Sequence, residues 1–381
     1  MRRFDLIVLG AGPAGSAAAV TAARAGLSVA LIDKRSFPRD KLCGGGVTGR
    51  AMAHFQDIFA TSAPDCPVAR RDTVDFGAFG QALGQCSGVP PLNLVMRRDF
   101  DAALVQGALG AGAEDLTGAK VSAIDPDGPE VTLESGALRA SAMIAADGVN
   151  SAVARALFGR AFDPDTIGFA LEVELPDAPR PLRIDFGAAE WGYGWQFPKH
   201  CGTTIGVGGM LRRNADMKSA LAGYRAQLGA LGDVPVKGLY LPFGQPRRIP
   251  GKGSVLLAGD AAGLVDPITG EGIAYALRSG QLAARAAIRA LDEGHPDRAL
   301  THYVNSLRPI HGAIRQANLI RPLIFAPRLR GPFLRAFRHS TTLKRDYFDL
   351  LAGRLEYPQI TRRLLARLPR FALSTLSGRL A

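Results

Sequence analysis

Cysteine and histidine are scarce in this sequence. Its 381 residues include four cysteines and six histidines. The cysteines show no Cys-x-x-Cys spacing, and the histidines show no spacing typical of metal ligands. A chain of this length buries enough surface to fold without covalent cross-links. We therefore expect free thiols in a reducing, cytoplasmic compartment and no metal site.

Long apolar runs, internal repeats and low-complexity stretches are also missing. No run of 18 apolar residues occurs, although 47% of the residues are hydrophobic. The sequence therefore predicts a large buried core and no membrane-spanning helix. The apolar stretch behind Arg2 and Arg3 is interrupted by Asp5. We interpret this stretch as a strand and not as a secretory signal.

Acidic residues are rare near the C-terminus. The whole chain carries a formal net charge of +12, and residues 308–381 contain 15 Lys or Arg but only 3 Asp or Glu. Residues 1–307 therefore have no net charge. A partner attracted by charge should meet the last fifth of the chain.

Basic and apolar residues are interleaved in this C-terminal region. Residues 313–338 mix Arg with Leu, Ile and Phe, and Arg362, Arg363, Arg367 and Arg370 recur among leucines. This pattern is typical of helices that make peripheral contact with the anionic inner face of a membrane. A solvated basic helix packed on the rest of the protein shows the same pattern, so both interpretations stay open. No nucleic-acid-binding module is visible, and we expect no nucleic acid partner.

A glycine turn between two predicted strands indicates a dinucleotide site. Gly10, Gly12 and Gly15 have the Gly-x-Gly-x-x-Gly spacing directly after the apolar residues 6–9. The first glycine permits a tight turn, the second admits a pyrophosphate, and the third lets the next helix pack on the sheet. Free N–H groups and the helix dipole then face the phosphates. Asp33 ends the following strand, 21 residues after Gly12, where a carboxylate can bind ribose hydroxyls.

A second glycine-rich stretch, residues 258–273, follows another apolar strand. Gly259 and Asp260 stand at the strand end, and a helix opens near Gly270 and Gly272. The Asp260 carboxylate can accept hydrogen bonds from ribityl or ribose hydroxyls. The helix opening presents N–H groups to an anion.

Arg97 and Asp147 are weaker candidates for contact with such a ligand. Arg97 opens a predicted helix with Phe100 and Asp101 behind it, and Asp147-Gly148 forms a turn after a strand. Taken singly, each of the two residues is explained as well by a structural salt bridge or a helix cap as by contact with a ligand. The order of the four motifs along the chain favours the ligand.

The order of predicted elements indicates a discontinuous α/β fold. We predict strands at 121–124, 131–133, 138–145, 167–173, 182–186, 194–197, 203–207 and 254–258, and helices from 98 to 109, at 217–231 and at 270–291. Residues 60–95 contain four prolines and are expected to be irregular. The predicted parts are a Rossmann-like nucleotide-binding domain (1–60, 96–160 and 250–300), an inserted antiparallel β-sheet substrate domain (61–95 and 161–249) and a basic helical region (301–381).

The four motifs resemble, in sequence and order, those of the aromatic-hydroxylase-like flavoprotein superfamily. Within it, Lys-Leu-Cys-Gly-Gly-Gly at 41–46 and Tyr-Gly-Trp-Gln-Phe-Pro-Lys at 193–199 resemble the geranylgeranyl reductase family. The second segment matches that family's Pro-x-x-Tyr-x-Trp-x-Phe-Pro motif, except that Glu190 replaces the first proline. The run at 267–273 also agrees, so the resemblance covers residues 4 to about 290.

The resemblance implies FAD as the cofactor, with its adenosine end at the first motif and its flavin near residues 258–273. The residues expected to hold it are Gly10, Gly12, Pro13, Ala14, Gly15, Asp33, Lys34, Cys43, Gly44, Gly45, Arg97, Val121, Asp147, Gly259, Asp260, Gly270, Gly272 and Ile273. No second dinucleotide fingerprint is present. Electrons would therefore come from NADPH without a Rossmann domain of its own, or from a reduced carrier protein.

Three residues are candidates for catalysis. Tyr193 and Trp195 alternate with Gly194 and Gln196, so on a strand the two aromatic side chains share one face. They are either core aromatics or, as the resemblance implies, an aromatic wall over a long apolar ligand. Cys43 is either a packed thiol or a proton source beside the flavin.

The resemblance implies an enzyme that reduces carbon–carbon double bonds of a geranylgeranyl-type isoprenoid chain, with a prenyl lipid as substrate. Hydride would come from reduced flavin and the proton from Cys43, Tyr193 or a bound water, while Tyr193 and Trp195 stabilise a developing cation. Two alternatives stay open. One is an FAD-dependent aromatic monooxygenase or halogenase-like enzyme that uses oxygen, and the other is a flavin-binding electron carrier without its own substrate.

Overall fold

The computed structural model describes residues 1–176 and 180–363, and these residues form three β-sheets. The strands are β1 (Arg2–Leu9), β2 (Val29–Asp33), β3 (Gly46–Val47), β4 (Val68–Arg71), β5 (Val74–Ala78), β6 (Gln81–Cys86), β7 (Leu92–Val95), β8 (Glu114–Thr117), β9 (Val121–Asp125), β10 (Glu130–Leu133), β11 (Gly136–Ala145), β12 (Gly168–Leu175), β13 (Leu182–Phe186), β14 (Tyr193–Lys199), β15 (Gly202–Met210), β16 (Lys237–Leu241), β17 (Gly251–Lys252) and β18 (Val255–Leu257). The helices are α1 (Pro13–Arg24), α2 (Gly49–Phe59), α3 (Arg97–Gly110), α4 (Ala152–Phe158), α5 (Met217–Gln227), α6 (Ile273–Asp292), α7 (Ala299–Ser306), α8 (Arg308–Phe325), α9 (Arg330–His339) and α10 (Thr341–Leu351).

The first sheet is mainly parallel. Its strand order is β17-β18-β11-β1-β2-β8, and β10 and β9 extend it beside the first half of β11. Strands β18, β11, β1, β2 and β8 run parallel to one another. Strand β1 lies at the centre, and its last four residues are buried. Central parallel strands are covered on both faces, which explains the continuous apolar run in the sequence.

Helices α1 and α6 lie close together because the residues at their contact are small. A Cβ atom on Gly280 of α6 would lie 2.0 Å from the carbonyl oxygen of Ala14, and one on Gly15 would lie 1.7 Å from that of Gly10. Neither position can hold another residue type without a backbone shift. Helix α1 therefore begins directly against the turn that follows β1.

The second sheet has the order β16-β12-β15-β14-β13-β5-β6. Strands β12 to β16 pair antiparallel, as predicted for the inserted sheet. The sheet then continues into residues 74–86, where β5 pairs with β13 in parallel. The expectation that residues 60–95 are irregular is therefore wrong. The four prolines of this stretch precede β4 and β7 and lie outside the strands, and β5 alternates Val74, Phe76 and Ala78 with Asp75 and Gly77.

The two faces of the second sheet pack against different helices. Leu171 and Val173 of β12 contact α5 on one face. On the other face, Phe76 and Phe186 pack against a cluster of aromatic residues from the C-terminal helices, namely Phe325, Phe337, Tyr347 and Phe348. Residues 301–363 of the C-terminal region are mainly helical, as predicted, and their helices α8 to α10 cover the second sheet. Arg367 and Arg370 lie outside the described residues.

Three further expectations concern thiols, membranes and metals. Cys43, Cys66, Cys86 and Cys201 are free thiols. Within residues 1–176 and 180–363, no helix has both the length and the apolar character that a membrane crossing requires. In the same residues, no cluster of three or more His, Cys, Asp or Glu side chains could hold a metal ion.

Candidate active site

The predicted motifs meet at one edge of the parallel sheet. Gly10 follows the end of β1, Asp33 ends β2, Asp147 follows β11, and Gly259 follows β18. The carboxyl ends of parallel strands lie on the same edge, which is where ligands bind in such sheets. A cavity of about 440 Å³ opens here and extends to the inner face of the second sheet.

Most of the residues predicted to hold the cofactor line this cavity. Gly15 and Val121 do not belong to its lining. Gly15 is buried behind the turn, where it lets α1 approach Gly10. Val121 begins β9, where it pairs with Leu133. Because it lies outside the cavity lining, its contact with the cofactor stays a prediction.

One end of the cavity offers the donors and acceptors that a dinucleotide needs. Gly12, the residue before α1, has no side chain with which to cap the helix, and a Cβ there would meet only Arg39, at 3.7 Å. The free helix N-terminus therefore faces open space that suits a pyrophosphate. Asp33 accepts hydrogen bonds from the N–H groups of Ala11 and Arg35, both at 2.9 Å, so its carboxylate is held at the cavity wall.

Asp147 carries an unpaired oxygen at the same cavity. Its Oδ2 accepts a hydrogen bond from the N–H of Ala152 at 2.7 Å. Its Oδ1 is buried and has no hydrogen-bond partner among the residues that the structure describes. Burial raises the pKa of Asp147, although hydrogen bonds from Ser151 and nearby N–H groups oppose this. An unpaired buried acceptor fits contact with a bound polar group. Together with the free end of α1, these residues fit FAD.

Arg97 forms the predicted salt bridge and also lines the cavity. Its Nε and Nη2 atoms donate to the two oxygens of Asp101 at 2.7 and 2.8 Å, one helical turn away. Arg39 approaches the same carboxylate at 3.2 Å. Burial lowers the pKa of Arg97, but the Asp101 charge more than offsets this and the pKa ends above its usual value. The guanidinium therefore stays charged and fixed in the cavity wall.

The other glycine-rich stretch lines the same cavity, and the flavin end expected there from the resemblance stays a prediction. Helix α6 begins after Gly272, which has no side chain to cap it. Asp260 is half-buried in the cavity wall, and removal of water from its carboxyl group raises its pKa, although the nearby Lys41 opposes this. Gly270 has a positive φ of 70°, and a Cβ there would lie 2.1 Å from the Tyr193 hydroxyl. Only glycine fits at this contact between the two sheets.

Residues 41–46 run along the inner face of the second sheet. A Cβ on Gly44 would lie 2.9 Å from the Phe197 ring and 3.0 Å from Trp195 Nε1. Gly45 has a φ of 76°, and a Cβ there would lie 2.1 Å from the carbonyl oxygen of Val95. The glycines are therefore required because the loop touches the aromatic side chains with its backbone.

Tyr193 and Trp195 form one wall of the cavity. They lie on the same face of β14, with ring centroids 5.7 Å apart. A Cβ on Gly206, opposite Trp195 in the neighbouring strand, would lie 2.3 Å from the indole. The Tyr193 hydroxyl donates to the carbonyl oxygen of Thr269 at 3.0 Å. The side chains continuing this apolar part of the cavity are Leu92, Ile184, Phe197, Leu239, Leu241, Tyr347 and Leu351.

The sequence analysis missed several residues of the site. Glu172 of β12 lines the cavity, and the buried Lys199 lies beside Gly45. Tyr347 and Leu351 reach the cavity from α10. In sequence, Glu172 belongs to an alternating strand and resembles a residue that faces solvent. The position of Glu172 in the cavity wall depends on how the 41–46 loop packs on the sheet, which no local sequence pattern shows.

Comparison with known proteins agrees with this geometry. The family model described as FAD dependent oxidoreductase matches residues 5–124. The menaquinone reductase of Mycolicibacterium smegmatis is 36% identical over 310 residues, which cover 74% of this chain and 76% of that protein. The geranylgeranyl diphosphate reductase of Rhodobacter capsulatus is 33% identical over 315 residues, which cover 77% of this chain and 77% of that protein.

A solved structure shares the fold. The geranylgeranyl bacteriochlorophyll reductase-like protein of Thermoplasma acidophilum has a TM-score of 0.79 at 22% identity, over 96% of this chain and 99% of that chain. The two sequence relatives extend the agreement beyond the fold, since they match more than 30% of the residues over most of the chain. The chain belongs to the geranylgeranyl reductase family of FAD-dependent oxidoreductases.

Proposed function

We propose that this enzyme reduces carbon–carbon double bonds in an isoprenoid chain of geranylgeranyl type. The observation that carries the proposal is the apolar part of the cavity, where aromatic and aliphatic side chains continue directly from the cofactor end. Menaquinone and geranylgeranyl diphosphate, after which two relatives are named, have different polar ends and share a prenyl chain. This common part supports the prenyl chain as the group that the cavity holds.

The reduction of an isolated double bond needs a proton at one carbon and a hydride at the other. When bound and reduced, FAD supplies the hydride equivalent. No carbonyl group stabilises negative charge on such an alkene, so positive charge develops as the proton arrives. Tyr193 and Trp195 line the cavity, and we propose that their ring faces stabilise that charge.

Tyr193 is a poor source of the proton. Its hydroxyl already donates to the carbonyl oxygen of Thr269. Burial, helped by the charges of nearby acidic groups, raises the pKa of Tyr193 well above its ordinary value. We therefore assign Tyr193 to the cavity wall through its ring, and we look for the proton elsewhere.

Anaerobic reduction followed by substrate addition tests this function. The flavin of the purified enzyme is reduced with dithionite, geranylgeranyl lipids are added, and the flavin absorbance is followed while products are analysed. Reoxidation with a saturated product supports an alkene reductase. Reoxidation only when oxygen and an aromatic compound are supplied would establish the monooxygenase or halogenase-like alternative instead. Reoxidation by electron acceptors alone would establish an electron carrier, although the apolar lining of the cavity counts against this.

We propose that the electrons arrive from NADPH or from a reduced carrier protein. The proposal depends on the single dinucleotide fingerprint in the sequence. Bleaching of the flavin by NADPH under anaerobic conditions would assign the nicotinamide donor. Bleaching only by a reduced carrier protein would assign that protein as the electron donor.

We propose that helix α8 makes peripheral contact with an anionic membrane from which the prenyl lipid is collected. Arg315, Leu319 and Leu323 recur every four residues and are exposed on one face of the helix, with Leu319 74% exposed. Residues 308–345 contain no Asp or Glu. Exposed leucines beside arginines favour the interface of an anionic bilayer.

A further inference from the structure

Glu172 is an acid in the wall of the cavity. Ala170 and Glu172 alternate along β12 and both line the cavity, whereas Leu171 faces α5. The residue is 2% exposed. Its Oε1 accepts a hydrogen bond from the backbone N–H of Cys43 at 2.9 Å. Its Oε2 is buried and has no hydrogen-bond partner within residues 1–176 and 180–363.

Glu172 and Trp195 lie in one row across the sheet. Gly206 of β15 pairs with Glu172 on one side and with Trp195 on the other. Neighbouring strands are about 4.8 Å apart, and glycine places no side chain between the two residues. The indole extends over Gly206, because a Cβ there would lie 2.3 Å from it. The carboxyl group is therefore next to the aromatic wall.

Several charged groups face Glu172. Burial raises the pKa of Glu172 to about 7. The charge of Lys199 and the hydrogen bond from Cys43 oppose this rise. The charge of Glu174 adds to the rise, and the more weakly acting Lys237 opposes it. Burial also lowers the pKa of Lys199, although Glu172 opposes this. Burial therefore keeps a proton on this carboxyl group to a higher pH than on an exposed glutamate.

We propose that Glu172 is the catalytic acid of this site and gives its carboxyl proton to the double bond of the prenyl chain. The proposal rests on the proposed function. The O–H bond of Glu172 breaks as a C–H bond forms at one alkene carbon, and the other carbon receives the hydride equivalent that the reduction already supplies. The alkene gains two electrons and the cofactor loses two. The Glu172 carboxylate then takes a proton from solvent.

Single-turnover kinetics test the proposal with a matched control. Glu174→Gln changes the next residue on the same face of β12, whose side chain is 43% exposed. Under anaerobic conditions, Glu172→Gln should slow reoxidation of the reduced flavin by prenyl lipid by about 10² to 10⁴-fold. Glu174→Gln should stay within a few-fold of the wild-type rate, because Glu174 acts on Glu172 only weakly and through its charge, and Glu172→Asp should recover part of the loss. The wild-type rate should fall about tenfold per pH unit above pH 7.

An infrared measurement tests the proton without turnover. The pH difference spectrum of the wild type and of Glu174→Gln should contain a protonated-carboxyl band that titrates near pH 7, and Glu172→Gln should lack it. Persistence of the band in Glu172→Gln, or a wild-type reoxidation rate in that variant, would overturn the proposal. If the wild type reduces no prenyl lipid, the proposed function and the acid both fail. If it does so and Glu172→Gln does so equally well, only the acid fails.

Discussion

At the scale of single residues, the site depends on glycines that bring bulky side chains into contact. Gly44 and Gly206 both lie against the Trp195 indole, and a Cβ on either would overlap it or its neighbour Phe197. The Gly-Gly-Gly segment predicted close backbone approach, and the structure identifies what is approached. The sequence contained no sign that Gly206 belongs to the same contact, because it lies in a separate strand.

Trp195→Leu should reduce turnover while FAD stays bound. The variant keeps an apolar side chain but removes the ring face. A desolvated cation–π contact contributes about 2 kcal/mol, which corresponds to about a 30-fold slower rate. Single-turnover reoxidation by a prenyl lipid measures the effect, and Trp195→Phe, which keeps an aromatic face, is the control. Unchanged turnover in Trp195→Leu would mean that the ring serves packing alone.

Glu172 should make stability depend on pH. Burial raises the pKa of Glu172 from 4.5 to about 7 on folding. The contribution of Glu172 to the free energy of unfolding is therefore complete below pH 4.5, and it is lost as the pH rises through 7. Relative to Glu172→Gln, the wild type should lose about 3 kcal/mol of unfolding free energy between pH 4.5 and pH 8. Denaturant unfolding of both proteins across this range measures the difference, and parallel curves would contradict it.

At the scale of elements, continuous apolar strands were predictable and short polar ones were not. The strands predicted at 138–145 and 254–258 and the helix predicted from residue 98 are confirmed as β11, β18 and α3. The helix predicted at 270–291 begins at Ile273, because Gly270 and Gly272 form the turn before it. Strands β5 and β6 were missed because the prolines on either side of them suggested irregular backbone, although β5 alternates apolar and polar residues.

The exposed face of α8 should control membrane binding. Leu319→Glu with Leu323→Glu adds charge where leucines would enter the interface, and it should weaken binding to anionic liposomes at low salt at least about tenfold. Leu231→Glu is the matched control, because Leu231 is 78% exposed outside the helix. Liposome sedimentation measures binding. Equal binding by all variants would reject membrane contact through α8.

Deletion of the residues after 340 would be a poor test of membrane contact. It would remove α10, from which Phe348 packs in the core and from which Tyr347 and Leu351 also line the cavity. Loss of binding would then report loss of the fold. Point substitutions on the exposed face avoid this problem.

At the scale of the whole molecule, the C-terminal region completes the site from outside the two motif-bearing parts. Arg330 pairs with both oxygens of Glu190 at 2.9 and 2.8 Å, just before the aromatic wall. Glu190 is the residue at which this chain departs from the family's proline. The buried Tyr357 reaches Asp266, which precedes the glycine-rich turn at 270–272. These contacts join the C-terminal helices to both sides of the cavity.

Tyr357→Phe should destabilise the protein and loosen FAD binding. The Tyr357 hydroxyl donates to Asp266 Oδ2 at 2.7 Å, and Asp266 Oδ1 accepts from the N–H groups of Ile268 and Thr269 at 2.9 Å. A buried acceptor that loses its donor costs about 1–3 kcal/mol. Thermal unfolding and FAD retention on gel filtration measure the effect. Tyr240→Phe, on the edge strand β16, is the matched control, and equal behaviour of the two variants would contradict the prediction.

The cofactor-binding edge of the parallel sheet was predictable from sequence alone. Glycine spacing, apolar strands and the acids at strand ends are local patterns, and a parallel sheet necessarily brings its carboxyl ends to one edge. The residues that complete the cavity were not predictable in this way, because long-range packing brings them together. Glu172, Gly206 and Tyr347 come from separate elements, and their shared location depends on sheet register and helix packing between residues far apart in the chain. No local pattern encodes those distances, because they depend on how segments far apart in the chain pack against one another.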